Sequence, residues 1–158
     1  MKQIMLLCTA VCILYGVSCK KEEERITLRT EMITANPWRI AALDMKQKIG
    51  NSAIVETDMY DLMADCERDN QFTFNMDQTI TFDEGAEKCD PDAAQSYAIP
   101  DTKWAFKTAD TQLEITDTSG AVVWDILSFN DTALIIQNRV TDYDTITTTT
   151  TTRYVPVH

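Results

Sequence analysis

The stretch from Cys66 to Cys89, CERDNQFTFNMDQTITFDEGAEKC, constrains this chain more than any other. Phe72 and Phe74 alternate with polar residues, Ile80 and Phe82 do the same, and Asn75, Met76, Asp77 and Gln78 lie between them. This pattern predicts a β-hairpin with one apolar face. Opposed residues of an antiparallel pair keep a constant sum of residue numbers, so placing Phe74 opposite Ile80 also places Phe72 opposite Phe82. Carried back beyond the strands, the same register brings Cys66 to Cys89 with one residue of slack, which a short loop or a bulge absorbs. In an exported chain the two cysteines are expected to form a disulfide.

Export follows from the first residues. Lys2 precedes the apolar run Ile4 to Tyr15, too short to span a bilayer, and Gly16, Val17, Ser18 and Cys19 come next. A basic start, a short apolar run and small residues read as a secretory signal peptide over residues 1–18. Val17 and Ser18 ahead of Cys19 resemble the bacterial lipobox, with Gly16 in place of the usual leucine. The resemblance implies a mature chain that starts at Cys19, its thiol carrying diacylglycerol and its amine a palmitate-like acyl chain. Membrane affinity rises by about 0.8 kcal/mol per buried methylene, so a multiply acylated Cys19 is a stable anchor.

Cysteine usage agrees. Cys8 and Cys12 leave with the signal peptide and Cys19 is modified, which leaves Cys66 and Cys89 as an even pair in an oxidising compartment. Closing their loop is worth roughly 3 to 4 kcal/mol on the chain-entropy model. The formal charge is -11, and loss of Lys2 takes it to -12. Such a surface repels nucleic acid and anionic lipid, and first of all it serves solubility.

Lys20, Lys21, Glu22, Glu23 and Glu24 read as part of a solvated tether over residues 19–35, ahead of a folded domain at 36–158. The charged run resembles the signals that follow the acylated cysteine in Bacteroidota-type lipoproteins sent to the cell surface. The expected location is the outer membrane, with the cell surface and the periplasmic face both open. Arg25 to Ala35 has no strong period and fits a helical turn or a strand. Trp38, Ile40 and Ala42 alternate as a first strand after Pro37. Ile54, Val55, Met59, Leu62 and Met63 fall nearer a helical spacing, predicting a short helix or lid within Ser52 to Asp65. Asp90 to Pro100 reads as a long connection broken by Pro91 and Pro100. Trp104 and Phe106 alternate, as do Leu113 and Ile115, and one register opposes them as a cross-strand cluster. Val122 to Phe129, Ala133 to Val140 and Ile146 to Val155 complete a count of eight strands; the threonine run Thr147 to Thr152 reads as the closing strand. Many short strands at even spacing mean a sandwich or an up-and-down barrel.

Cys66, Asp69, Asn70, Phe72, Phe74, Asn75, Asp77, Thr79, then Glu84, Gly85, Lys88, Cys89, Asp90 and Pro91, followed by Trp104, Leu113 and Ile115, form a larger pattern. It is similar to the lipocalin-like domain of Bacteroidota-type lipoproteins over nearly the whole mature chain. The resemblance implies an all-β fold, an eight-stranded antiparallel up-and-down, calycin-like barrel with a short helix or lid after the first strand. Gln78 stands where that family usually has glycine, and so is expected at positive φ. Trp38 sits where lipocalins carry their G-x-W motif, with Asn36 in place of the glycine. The resemblance also implies that Arg153 lies over Trp38 where the last strand meets the first, a cation–π contact of about 0.5 to 2 kcal/mol.

Small barrels either fill with side chains or hold one small ligand. Trp38, Phe72, Phe74, Phe82, Trp104, Phe106 and Trp124 are the candidates to line or fill this one. Two functions stay open: a membrane-anchored binding module for a small apolar ligand, and a protein-interaction or envelope-assembly accessory with a filled barrel. Catalysis has little support. The only histidine is His158, no free cysteine remains in the mature chain, and neither a glycine-rich phosphate loop nor a nucleophile elbow occurs. Asp83, Glu84, Asp90 and Asp92 lack the spacing of a calcium loop, so no metal and no cofactor is expected. Asp131-Thr132-Ala133 and Asp144-Thr145-Ile146 match an Asp-Thr-apolar O-glycan acceptor resembling that of Bacteroidota, which marks Thr132 and Thr145 and would crowd one end of the barrel.

Overall fold

The computed structural model describes residues 28–143 and 145–158. The signal peptide, Cys19 and the charged run lie outside the described residues. A helix, α1, covers residues 28–34. It is followed by β1 (Trp38–Ile49), β2 (Val55–Asp58), α2 (Asp65–Arg68), β3 (Gln71–Phe74), β4 (Thr79–Asp83), β5 (Ser96–Lys107), β6 (Gln112–Asp117), β7 (Gly120–Phe129), β8 (Leu134–Asp142) and β9 (Ile146–Pro156). Neighbours pair antiparallel in the order β1-β3-β4-β5-β6-β7-β8-β9, and β9 returns to β1. Eight strands therefore close an antiparallel up-and-down barrel, and β2 is a ninth strand added to one edge of β1.

The registers follow the apolar alternation. Phe74 faces Ile80 and Phe72 faces Phe82, while Trp104 faces Ile115 and Phe106 faces Leu113. Gln78 has φ 68° in the turn between β3 and β4. The threonine run lies in β9, bonded to β1 on one side and β8 on the other. Its β-branched residues suit a strand paired on both edges.

Three segments differ from the sequence expectation. Pro100 lies inside β5, which starts at Ser96; pairing with β4 jumps from Thr79↔Lys103 to Thr81↔Ala98, and Asp101 takes φ 53°. The irregular stretch removes the need for a ladder bond at the proline. The short helix expected after the first strand is present as α2 (Asp65–Arg68), but it begins only where the expected segment ends, and residues 52–65 hold β2 and turns. Asp44 to Gln47 of β1 offer an uncovered edge there, and Val55–Asp58 pair with it, so sheet bonding overrides a weak helical spacing. The stretch left open between helix and strand is helical at 28–34, and it packs on the barrel rather than standing off as tether. Ile33 is fully buried, and the Trp38 indole Nε1 donates to its carbonyl at 2.8 Å.

The core is Ile33, Trp38, Phe74, Ile80, Trp104, Leu113, Leu134 and Ile136, each at 4% exposure or less. Burying each such side chain is worth about 1.5 to 3 kcal/mol. All sit toward the end of the barrel that α1 covers.

Candidate functional site: the open end of the barrel

Strand direction sorts the connections into two groups. The turns β3–β4, β5–β6 and β7–β8 share one end with α1, the entry to β1 and the exit of β9. The segment between β1 and β3, the β4–β5 loop and the turns β6–β7 and β8–β9 share the other end.

At the α1 end aromatic rings pack the interior, and a cavity of about 180 Å3 lies beside them, lined by Thr30, Met76, Gln78, Trp104, Ala105 and Phe106. Rings run in contact from Trp38 to Phe129 (6.0 Å between centroids), Phe106 (6.0 Å), Trp104 (5.7 Å) and Phe74 (5.6 Å). The helix closes this floor. Arg29 stacks over Phe129 at 5.6 Å and donates through Nη1 to the carbonyl of Asp110, while Thr34 reaches the Met76 sulfur at 3.3 Å. Trp104 Nε1 donates to the carbonyl of Asn75 at 3.1 Å, tying the β3–β4 turn to the same floor. The β3–β4 turn also holds Asp77, whose carboxyl lies below its ordinary value because the Thr79 hydroxyl and amide donate to it. Arg153 does not lie over Trp38. It faces Ala42 and Ile135 on the outer face of the barrel, while Trp38 points inward, and the cation at the floor is Arg29. Strand alternation separates Arg153 from Trp38, and no pattern in the sequence placed α1.

A second aromatic line climbs the wall. Tyr154 contacts Phe72 (6.3 Å), Phe72 contacts Phe82 (5.6 Å), and Phe82 contacts Tyr97 (5.3 Å). Tyr154 is partly buried against the core and its hydroxyl is pushed up to about 12 by desolvation, whereas Tyr97 is 45% exposed. Trp124, on β7, is half-buried against the core. Of the seven aromatic candidates, Trp38, Phe74, Trp104 and Phe106 thus form the floor, and Phe72, Phe82 and Trp124 belong to the wall. Phe129, Tyr97 and Tyr154 were missed. For Phe129 the reason is the irregularity between Ile126 and Ser128, which breaks the alternation that leads inward from Trp124.

At the other end the inward positions are open. Val122 of β7, Val140 of β8 and Ile49 of β1 continue inward faces and are 47%, 47% and 54% exposed. The wall is also slit. Residues 120–124 of β7 pair with β6 alone and residues 138–142 of β8 with β9 alone; the β7–β8 ladder stops at Asp125↔Gln137. Asn138 Nδ2 donates to the Val123 carbonyl at 2.7 Å just beyond that point. On the opposite side β3 holds only Trp38 and Arg39 of β1, and farther along the same edge belongs to β2. The barrel therefore parts into two leaves, β2-β1-β9-β8 and β4-β5-β6-β7. Along β9 the buried Thr152 is followed inward by Thr150 and Thr148, so one wall carries hydroxyls and the facing wall carries Phe82, Tyr97, Ile115 and Trp124.

The Cys66–Cys89 disulfide is formed, with Cα atoms 5.2 Å apart, and joins the β1–β3 segment to the β4–β5 loop on the rim of this end. The carboxylates around it are engaged in fixing the backbone. Asp69 Oδ2 accepts from the amides of Ala86 (2.6 Å) and Glu87 (2.8 Å), and Glu84 Oε2 accepts from that of Cys89 (3.0 Å). Asp83 Oδ1 accepts from Gly85 at 2.8 Å and Asp90 Oδ1 from Asp92 at 2.9 Å. A Cβ on Gly85, at φ 72°, would lie 2.4 Å from the Asp69 carbonyl oxygen, so only glycine fits. Thr132 and Thr145 are exposed turn residues at opposite ends of β8; glycans on both would not crowd one end.

No protein-family model and no curated protein sequence matches the chain. Among solved structures it is similar to bovine odorant binding protein in complex with a selenium-containing odorant, at 16% identity and TM-score 0.42, over 82% of this chain and 73% of that one. Bovine odorant binding protein in complex with undecanal gives 18% identity and TM-score 0.39, over 77% and 70%. At that level of likeness the site is read from this chain's own geometry.

Proposed function

We propose that this chain is a non-catalytic binding module that takes a small, mainly apolar ligand between the two leaves of its open end. The observation that carries this reading is the contrast in filling: inward residues near α1 are nearly all buried, while Val122, Val140 and Ile49 on the same inward faces are about half exposed. A packed interior leaves no such gap. Apolar groups in a concave, aromatic-lined site with a few hydroxyls on one wall suit a ligand that is mostly hydrocarbon with a polar head. We further propose that acylated Cys19 anchors the chain to the outer membrane, at the cell surface or the periplasmic face, and that Thr132 and Thr145 are O-glycan acceptors. The lipobox-like run and the Asp-Thr-apolar motifs support these parts.

Native mass spectrometry of the protein isolated from its own envelope, before and after denaturation, tests the ligand. A reproducible small mass lost on denaturation is expected, together with saturable enhancement of N-phenyl-1-naphthylamine fluorescence that Val122→Glu or Val140→Glu abolishes. A bare protein that does not bind the probe would overturn the reading in favour of a protein-interaction role. Exposed Ile54, Val55 and Leu62 beside β2 are the surface that such a role would use.

A further inference from the structure

The outer face of β1, β9 and β8 carries a groove of about 220 Å3 lined by Lys46, Gln47, Lys48, Ile54, Arg139, Thr147 and Thr149. It lies outside the barrel and is separate from the interior site. Its floor is β9. Lys46 and Arg139 both face Thr149, from β1 and from β8, and Lys48 faces Thr147. Adjacent strands are about 4.8 Å apart, so the long cationic side chains on either side reach over the two threonines. Glu56 neutralises Lys46 at 2.9 Å. Lys48 and Arg139 make no ion pair among the described residues, and Asp44 and Asp58 lie one outward position nearer α1. Two cations without an ion pair among the described residues thus flank two hydroxyls in a chain of net charge -11. Screening over about 8 Å at physiological salt leaves these near charges, rather than the distant acids, to set the potential in the groove.

We propose that this groove binds a sugar bearing a tetrahedral oxyanion ester, a phosphate or a sulfate. The guanidinium of Arg139 offers a planar fork to two ester oxygens, Lys48 adds a second positive charge, and the hydroxyls of Thr147 and Thr149 donate from the floor. Ile54, 56% exposed at the groove wall, takes the apolar side of the sugar ring. The volume corresponds to roughly seven waters of liquid, enough for one such sugar and not for a longer chain.

The test is an NMR titration of the purified protein with glucose 6-phosphate, glucose 6-sulfate and glucose. Saturable shifts confined to the amides around Lys48, Arg139, Thr147 and Thr149 are expected with at least one ester and not with glucose. Response to one ester alone assigns the anion, and response to both makes the tetrahedral oxyanion itself the ligand. Arg139→Gln should weaken binding about tenfold, Lys48→Gln should also weaken it, and Lys103→Gln on the far side of the barrel should leave it unchanged. Equal shifts with glucose, no shift at Thr147 and Thr149, or an affinity untouched by both groove variants would overturn the proposal. None of these outcomes depends on whether the interior takes a ligand.

Discussion

Near α1, the strands of this barrel carry Trp38, Phe74, Trp104, Phe106 and Phe129 inward with their rings in contact; toward the open end Ile49, Val122, Val140 and Thr148 continue the inward faces and stay partly exposed. The ends differ in backbone pairing and in the volume of the inward side chains. Eight strands enclose a space that large rings fill and β-branched residues do not. The ladders differ as well: every pair of neighbouring strands is bonded at the floor, with irregularities in β4–β5 and β7–β8, and two slits open above it. Closure of the barrel is a property of one end, and open space is what remains at the other.

The comparison breaks most visibly at Trp38. Trp38→Ala should cost about 3 to 5 kcal/mol in urea unfolding, since it removes a buried ring, its contact with Phe129 and the indole bond to α1. A loss below about 1 kcal/mol would mean that the floor is not the stabilising end. Next is the rim. Replacing Cys66 and Cys89 together by serine should cost about 3 kcal/mol. A much smaller loss would show that the Asp69 and Glu84 bonds already hold the rim without the covalent link. The wall between the two ends is read by pH. Folding raises the Tyr154 hydroxyl from 10.0 to about 12, so the folded state keeps a proton that the unfolded state releases. The associated stability is whole below pH 10 and is lost as pH rises to 12, about 2 to 3 kcal/mol in all. Tyr154→Phe should flatten that loss in a series of unfolding curves. The smallest effect is expected at the open end, where Val140→Ala should change stability by no more than about 0.5 kcal/mol.

Much of this was legible in the residues. Strict alternation with a fixed turn made the Phe72–Phe74 and Ile80–Phe82 pairing readable, and the cysteines followed from the same register. Trp104 and Phe106 opposite Leu113 and Ile115 were readable for the same reason. The rest depended on contacts that no local pattern encodes. The helix α1 is short and weakly periodic, and only its burial under the barrel makes it structural. Strand β2 exists because β1 outruns β3. Arg153 was placed by analogy, and strand parity puts it outside. The two-leaf opening could not be seen at all, because it depends on where a ladder stops rather than on which strands pair.

One consequence concerns the order in which the fold is made. Strand β1 is bonded along most of its length to β9, Trp38 facing Pro156 and Ile49 facing Ile146, so its main partner is synthesised long after it. Pairings so distant in sequence are slow to form. Until they do, β1 waits with an unsatisfied edge, the condition under which strands of different molecules join. Lys46 and Lys48 follow Asp44 on its outward face and put two like charges side by side, the kind of side chain that discourages edge-to-edge joining. The same lysines that flank the groove in the folded protein would then serve, before β9 has paired, as protection against self-association.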